Sequence, residues 1–375
     1  MKIAVNTRLL IKDHMDGIGV FTYESFKQIA TSNPTTEFVF IFDREPHPDF
    51  VFAKNIKAEV IGPQARHPFL YKIWYQYSLN RLLKRLNADI FVGTDGMIPL
   101  KTRTKTLSII HDLNFEHHPK HLPVLLRKFY CKYFPKFADK ANRIATVSEF
   151  SKKDIIDTYK IKKEKIDVVY NGPNNNYKPI LKEDKTIVQN SYSDGKSFFL
   201  FVGTLHPRKN LINLFKAFDQ FKSQLDTDFK LLVVGKKMWW TAAIERTYTQ
   251  LKYKNDIIFT GRVSENELYK ITASAYALTY VPIFEGFGIP LVEAMSCGVP
   301  VITSNITSMP EVVEDAGILV DPFSVDEITA AMVKIFSNEN LRNELVEKSK
   351  IQAKKFSWKK TGDLLWESII KTIEN

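Results

Sequence analysis

The chain has little of several things. Its two cysteines, Cys131 and Cys297, lie far apart in 375 residues and match no metal-ligand spacing. That excludes a disulfide framework and points to a reducing compartment. No apolar run approaches the roughly 18 residues that a membrane span needs. The longest, SFFLFVG at 197–203, is strand-sized. The opening MKIAVNTRLL lacks the apolar core and small-residue cleavage site of a secretory signal, so a cytoplasmic protein is expected. No G-x-G-x-x-G follows a first strand with an acid downstream, which sets a dinucleotide oxidoreductase aside. There is no tandem repeat of short period, and no RNA- or DNA-binding motif accompanies the positive charge, so no nucleic-acid partner is expected.

What is present is an uneven charge. The net charge is +11, and residues 1–185 hold 31 Lys and Arg against 20 Asp and Glu, while residues 186–375 hold 22 of each. A basic half beside a neutral half implies different partners for the two. The length suits two domains, each large enough to bury a core without staples.

Short β-rich runs alternate with helical patterns along the whole chain. In the first half the strands are expected at Lys2–Asn6, Glu37–Asp43, Ala58–Gly62, Asp89–Gly93, Thr106–His111, Arg143–Val147 and Asp167–Tyr170. Helical stretches such as Phe69–Leu86 and Pro123–Ala141 lie between them. Most of the strands are continuously apolar, the pattern of parallel strands covered on both faces. The polar segment Gly172–Ser197 breaks the rhythm and reads as a linker. Strands then resume at Phe198–Val202, Lys230–Val234, Asp256–Thr260, Ala277–Val281, Val299–Thr303 and Ile318–Val320. The expected fold class is α/β, with two Rossmann-like doubly wound domains facing a central cleft. Their expected bounds are 1–180 and 181–355, with a C-terminal helix at 356–375 packing back on the first domain.

The strongest chemical signal is YVPIFEGFGIPLVEAMSCGVPVITS. A strand ends near Val281, and Glu285-Gly286-Phe287-Gly288 leads into a helix that opens at Ile289–Pro290. Proline is tolerated in a first helical turn, where its missing N–H has no helical partner. Glycines admit a ligand close to the backbone, and the free N–H groups at the helix start attract phosphate. Glu285 and Glu293 would repel phosphate but suit neighbouring hydroxyls of a sugar or ribose. Phosphate at the helix tip between two polyols is the outline of a nucleoside diphosphate sugar. A second signal is FVGTLHPRKN, where Arg208 and Lys209 follow a strand and would neutralise a diphosphate leaving group. A third and weaker one is Asp16-Gly17-Ile18-Gly19, a short glycine loop after the first strand.

These motifs resemble the large retaining glycosyltransferase family of GT-B fold, often called family 4, over essentially the whole chain. The E-x7-E element with EGFG and CGVPVI is the most specific part, and VGTLHPRKN, PEVVEDAGILVDP, VSEFSKKDI and VYNGPN fit around it. The resemblance implies that Glu285 contacts the donor hexose and Glu293 the ribose. Arg208 and Lys209 would hold the diphosphate, with backbone N–H groups from Gly286 through Phe287, Gly288 and Ile289 to Leu291. His111 would reach the reacting sugar, Gly17 and Gly19 would border diphosphate and acceptor, and Arg262 and Val263 would flank the base. It further implies retaining, metal-independent transfer of a GDP- or UDP-linked hexose, mannose favoured, to a glycan or lipid-linked acceptor, in bacterial surface polysaccharide synthesis. No cofactor is expected beyond the nucleotide sugar. Two departures stand out: Asp16 precedes Gly17 where relatives often have glycine, and Thr204 follows Gly203 where they often have arginine.

Two metal signals are set aside. Asp226-Thr227-Asp228 precedes a strand instead of following one, and His117-His118 with His121 lacks an acidic or thiol partner at ligand spacing. Lys128, Lys132, Lys136 and Lys140 recur every four residues beside Arg127 and Arg143. The apolar stripe that goes with them is Leu126, Phe129, Tyr130, Tyr133 and Phe137, interrupted by Pro135, which is expected to kink or split the helix. Such a face suits an anionic membrane surface or lipid-linked acceptor, and equally a solvated lysine row over an ordinary core. An epimerase or phosphorylase on the same fold, and a non-enzymatic basic binding protein, are the alternatives to a transferase.

Overall fold

A computed structural model of the protein describes residues 1–374, apart from the side chain of His121. The chain divides into two compact units. Unit 1 is Met1–Asn171 together with the residues after Phe356, and unit 2 is Gly172–Phe356.

The sheet of unit 1 has seven strands: β1 (Lys2–Asn6), β2 (Glu37–Phe42), β3 (Ile56–Val60), β4 (Ile90–Gly93), β5 (Lys105–Ile109), β6 (Arg143–Thr146) and β7 (Ile166–Val168). Their spatial order is β3-β2-β1-β4-β5-β6-β7, and every pairing is parallel. The order reverses between β1 and β4, which makes that pair the topological switch point. Phe38 to Phe42 are all but inaccessible, as a strand covered on both faces requires. The helix Trp358–Glu374 completes this unit by packing on the helix Gly17–Ser32. Its Thr361 hydroxyl donates to the Tyr170 carbonyl at 2.6 Å, and its Ser368 hydroxyl donates to Asp167 at 2.7 Å.

Unit 2 holds β8 (Phe198–Val202), β9 (Lys230–Val234), β10 (Ile257–Gly261), β11 (Ala277–Tyr280), β12 (Val301–Ser304) and β13 (Gly317–Val320). The order is β10-β9-β8-β11-β12-β13, again all parallel, and its switch point lies between β8 and β11.

Several expectations need correction. The segment read as a linker contains the helix Lys182–Tyr192. That helix buries Val188 but exposes Ile187, so it shows no apolar periodicity. It packs on the helix Glu265–Ser274, partly through a hydrogen bond of 3.0 Å from the Tyr192 hydroxyl to Glu267. Residues 172–180 belong to unit 2, not to the first domain, because Tyr177 is buried there against Tyr269. β3 begins at Ile56, earlier than expected, since Ile56 pairs with Phe38.

The stretch 68–86 is interrupted by a π turn at Trp74–Ser78. The wide turn lets the consecutive bulky residues Trp74 and Tyr75 both face the core, where they are 0% and 1% exposed. Pro135 does not split its helix, which runs from Val124 to Lys140. Phe134 and Phe137 on either side of it are buried, and their packing holds the turn that lacks an N–H. In that same helix the aromatic stripe joins the core of unit 1, while Lys128, Lys132, Lys136 and Lys140 are exposed. Among the described residues, no helix is long and apolar enough to cross a membrane.

Candidate functional site

The side chains expected to carry chemistry in unit 2 arise at the C-terminal ends of β8 and β11, on either side of the switch point. That is where open α/β sheets bind ligands. After β8 the chain turns through Pro207–Lys209, with His206 Nδ1 accepting from the Arg208 N–H at 3.2 Å. Asn210 then takes a left-handed conformation (φ 61°) and starts the helix Leu211–Gln224. Its amide donates to the carbonyls of Val281 at 3.0 Å and Pro322 at 2.6 Å. The Ile283 N–H donates to the Arg208 carbonyl at 2.9 Å. The cationic turn is therefore stapled to the loop that carries Glu285.

One carboxylate oxygen of Glu285 accepts from both Arg208 and Lys209. Arg208 also donates to the Phe284 carbonyl at 3.2 Å, and Lys209 donates to the Tyr280 hydroxyl. Burial pushes the Glu285 carboxyl up, but Arg208 and Lys209 outweigh it and hold the group below its ordinary range. Two cations thus share one carboxylate oxygen, with the Lys209 and Glu285 side chains each 10% exposed and that of Arg208 24% exposed. The sequence treats Arg208 and Lys209 as diphosphate ligands and Glu285 as a sugar ligand. In the structure the three form one ion-paired cluster that Tyr280 joins through Lys209, and Asn210 ties the turn to the strand end beside it; the motifs singled out neither. The signal for Asn210 was its position: asparagine directly before a helix, where left-handed backbone is common.

The helix Ile289–Ser296 follows Glu285. Gly288 precedes it with φ 95°, and a Cβ there would lie 2.8 Å from Met309 Cε, so only glycine fits without strain. Among the described residues no side chain caps this helix. Phe287 and Leu291 are buried at 3% and 0%, with Phe287 edge-on to Phe356, so their side chains are core, and the Leu291 N–H expected to hold phosphate already donates to the Gly288 carbonyl at 3.0 Å. Gly286 joins the cluster loop to this turn, and the Ser308 hydroxyl donates to the Glu285 carbonyl at 2.9 Å. Glu293 lies further along the same helix beside Tyr177 and Glu265, and burial and Glu265 push its carboxyl up to about 8. Arg262 is exposed and Val263 partly buried in the loop after β10.

In unit 1, His111 follows β5. Its Nε2 lies 3.0 Å from the Thr94 carbonyl, so that nitrogen carries the proton and Nδ1 is an acceptor. Burial lowers its pKa, and Phe21 meets the ring edge-on at 5.0 Å. Asp16 caps the helix Gly17–Ser32 by accepting from the Gly19 N–H at 2.9 Å, which accounts for an acid where a glycine is usual. A Cβ on Gly19 would meet the Leu9 carbonyl at 2.8 Å, whereas Gly17 has open space above it. The switch point of this unit holds a cluster that the sequence did not reveal. Arg8 pairs with Asp95 at 2.7 Å, the Tyr75 hydroxyl donates to Asp95 at 2.6 Å, and the Asn6 amide donates to Tyr75 at 2.9 Å.

Two of the residues weighed as metal ligands have acidic or basic partners. Asp228 meets Lys196 at 2.6 Å before β9, and His117 meets Asp154 at 2.7 Å. His121 falls outside the described side chains.

A doubly wound pair of units, one with a cationic turn beside a glycine-opened helix, defines an α/β protein of two Rossmann-like units. Family models agree with that class and narrow it. Residues 182–352 match the glycosyl transferases group 1, and residues 15–176 match the glycosyltransferase family 4. The chain belongs to the group 1 glycosyltransferases of GT-B fold. It is 27% identical over 359 residues to the O-antigen chain mannosyltransferase B of Escherichia coli, spanning 93% of this chain and 94% of that one. It is 32% identical over 255 residues to the O-antigen chain mannosyltransferase RfbU of Salmonella typhimurium, spanning 67% of each. Its fold is similar to that of Anabaena Alr3699/HepE, solved with UDP and glucose (TM-score 0.76, 16% identity, 99% of both chains). It is also similar to that of WaaG, a glycosyltransferase involved in lipopolysaccharide biosynthesis (TM-score 0.74, 17% identity, 98% of this chain and 99% of that one).

Proposed function

We propose that the protein transfers mannose from a nucleoside diphosphate mannose to a hydroxyl of a glycan or lipid-linked acceptor in bacterial surface polysaccharide synthesis, with retention of configuration and without a metal. The observation that carries this reading is the convergence of Arg208 and Lys209 on one carboxylate oxygen of Glu285, in the loop that leads into a helix start that no side chain caps. A diphosphate answers both features. It takes hydrogen bonds from the two cations and from the backbone N–H groups of Gly286 to Ile289, and these strengthen as charge develops on the leaving oxygen. Glu285, kept ionised by the same cations, accepts from hexose hydroxyls. Glu293 takes the ribose diol, Arg262 and Val263 flank the base, and Gly17, Gly19 and His111 serve the acceptor and the reacting sugar. The mannose preference rests on the two O-antigen mannosyltransferases, which match over most or two thirds of their length.

Contact with an anionic membrane surface is part of the proposal. The exposed lysine row of the helix Val124–Lys140 ends at Val124 and Leu125, which are 56% and 61% exposed. The aromatic stripe contributes nothing to that contact, because it is core.

The test is transfer from GDP-mannose, with UDP-glucose as the competing donor, to lipid-linked saccharides, in buffer with EDTA. Expected are turnover with GDP-mannose, an α-linked product by its one-bond C–H coupling, and co-sedimentation with anionic vesicles that salt reverses. A β-linked product refutes retention, loss of turnover in EDTA refutes metal independence, and equal recovery on neutral vesicles refutes the membrane contact.

A further inference from the structure

The chain leaves unit 2 at Phe356 and re-enters unit 1 at Ser357, so a single residue separates Phe356 from Trp358. Each of these two aromatics is buried within its own unit. In unit 2 the Phe356 ring meets Phe287 at 5.5 Å and 78°, and Phe287 belongs to the Glu285-Gly286-Phe287-Gly288 loop. In unit 1 the Trp358 ring meets Phe21 at 6.3 Å and 72°, and Phe21 meets His111 at 5.0 Å and 88°. The His111 ring is also tethered through Nε2 to the Thr94 carbonyl at 3.0 Å, and the Thr94 hydroxyl donates to the Asn6 carbonyl at 2.7 Å. Backbone bonds fix both aromatics. The Phe356 N–H donates to the Ala353 carbonyl at 3.1 Å, and the Ser357 hydroxyl accepts from the Lys360 N–H at 3.2 Å as the helix Trp358–Glu374 begins. That helix lies so near the helix Gly17–Ser32 that a Cβ on Gly362 would come within 2.7 Å of Gln28 Cβ. Trp358 Nε1 is buried with no hydrogen-bond partner among the described residues, so Trp358 contributes its ring and not a bond.

We propose that Phe356, Trp358 and Phe21 are positioning residues that link the donor loop to His111 through the chain. A pyrophosphate gripped at Gly286 to Ile289 steadies Phe287, and the packing of Phe287 on Phe356 and of Trp358 on Phe21 carries that order to the His111 ring. This deepens the donor-site reading and rests on it. Close-packed buried rings have few alternative rotamers, so fixing one member of the row narrows the choices of the next. A group whose surroundings are already ordered loses less freedom when its own ligand arrives. His111 Nδ1 is the acceptor nitrogen, and holding its ring in place before the sugar is engaged favours transfer without adding a contact to the nucleotide. No covalent bond changes.

GDP and UDP are the proper probes, since they fill the pyrophosphate grip and carry no hexose to touch His111. The readout is the side-chain nitrogen resonances of His111 in the full chain labelled with 15N-histidine, assigned by their absence from His111→Gln. Expected in the wild type is a shift or narrowing of these signals on saturation with whichever nucleotide binds. Phe356→Leu and Trp358→Leu should still bind that nucleotide but lose the response, and Trp358→Phe, which keeps a ring, should retain most of it. In turnover with GDP-mannose the two leucine variants should lose roughly 10- to 100-fold in kcat with KM little changed. Leu365→Ala opens a cavity in the same helix outside the aromatic row, so it should lower thermal stability yet keep the response. Loss of the response in Leu365→Ala as well would show general loosening and overturn the link. An unchanged response in Phe356→Leu also overturns it, and that variant decides the matter if Trp358→Leu fails to fold. A wild-type His111 that ignores a bound nucleotide overturns the link while leaving the donor site intact. Failure of the wild-type chain to bind either nucleotide overturns the donor site and the link with it.

Discussion

The two units share one sheet order around the switch point, yet they finish it in opposite ways. In unit 1 the ends of β1 and β4 are filled by Arg8, Asp95, Tyr75 and Asn6, a buried network in which each partner satisfies another. In unit 2 the ends of β8 and β11 carry two cations on one carboxylate, next to a helix start without a side-chain cap. Identical topology therefore does not make identical sites. A closed network stabilises its unit, whereas two cations converging on one carboxylate are the feature on which the proposed anion site of unit 2 rests.

The largest effect expected from breaking this contrast is on stability, in unit 1. Arg8→Ala leaves Asp95 buried without its cation and should cost about 3–5 kcal/mol, read by urea unfolding. Nucleotide-sugar affinity of the folded protein should not change. Lys209→Ala comes next, because it removes a charge-assisted bond of about 1.5–3 kcal/mol from the proposed diphosphate site. Donor affinity should weaken by roughly 10- to 100-fold in calorimetry. Gly288→Ala forces a side chain into left-handed backbone against Met309 and should cost about 1–2 kcal/mol, measured by the same unfolding assay.

The smallest effects are pH slopes. The folded Glu293 carboxyl, at about 8, lies above the ordinary 4.5. Its contribution to stability is therefore fully present below about 4.5 and is lost as pH rises to about 8. Glu285 has the opposite sign: held low, it stabilises above its ordinary value, and that contribution is lost as pH falls through its folded value. Thermal unfolding against pH should flatten between 4.5 and 8 in Glu293→Gln, and on the acid side in Glu285→Gln.

Much of the architecture was legible in sequence because parallel strands covered on both faces are unbroken apolar runs. EFVFIF and FFLFV announced β2 and β8 in this way. The helix Lys182–Tyr192 was not legible, since it buries one apolar residue and is held by polar contacts. The π turn escaped because two consecutive inward aromatics look like any helix interior. In the candidate site, the residue types and spacing of Arg208, Lys209, Glu285 and Glu293 were readable as chemistry. Their pairing was not, because Arg208 and Glu285 lie 77 positions apart. Arg8 and Asp95, 87 positions apart, gave no local sign at all.

The central claim is that unit 2 grips a pyrophosphate between the Arg208-Lys209 turn and the start of the helix Ile289–Ser296. A crystal structure of the protein with GDP-mannose tests it most directly. The account predicts both phosphates within hydrogen-bond distance of Arg208, Lys209 and the backbone N–H groups of Gly286 to Ile289. A nucleotide lodged elsewhere, with Arg208 and Lys209 still turned only to Glu285, would contradict it.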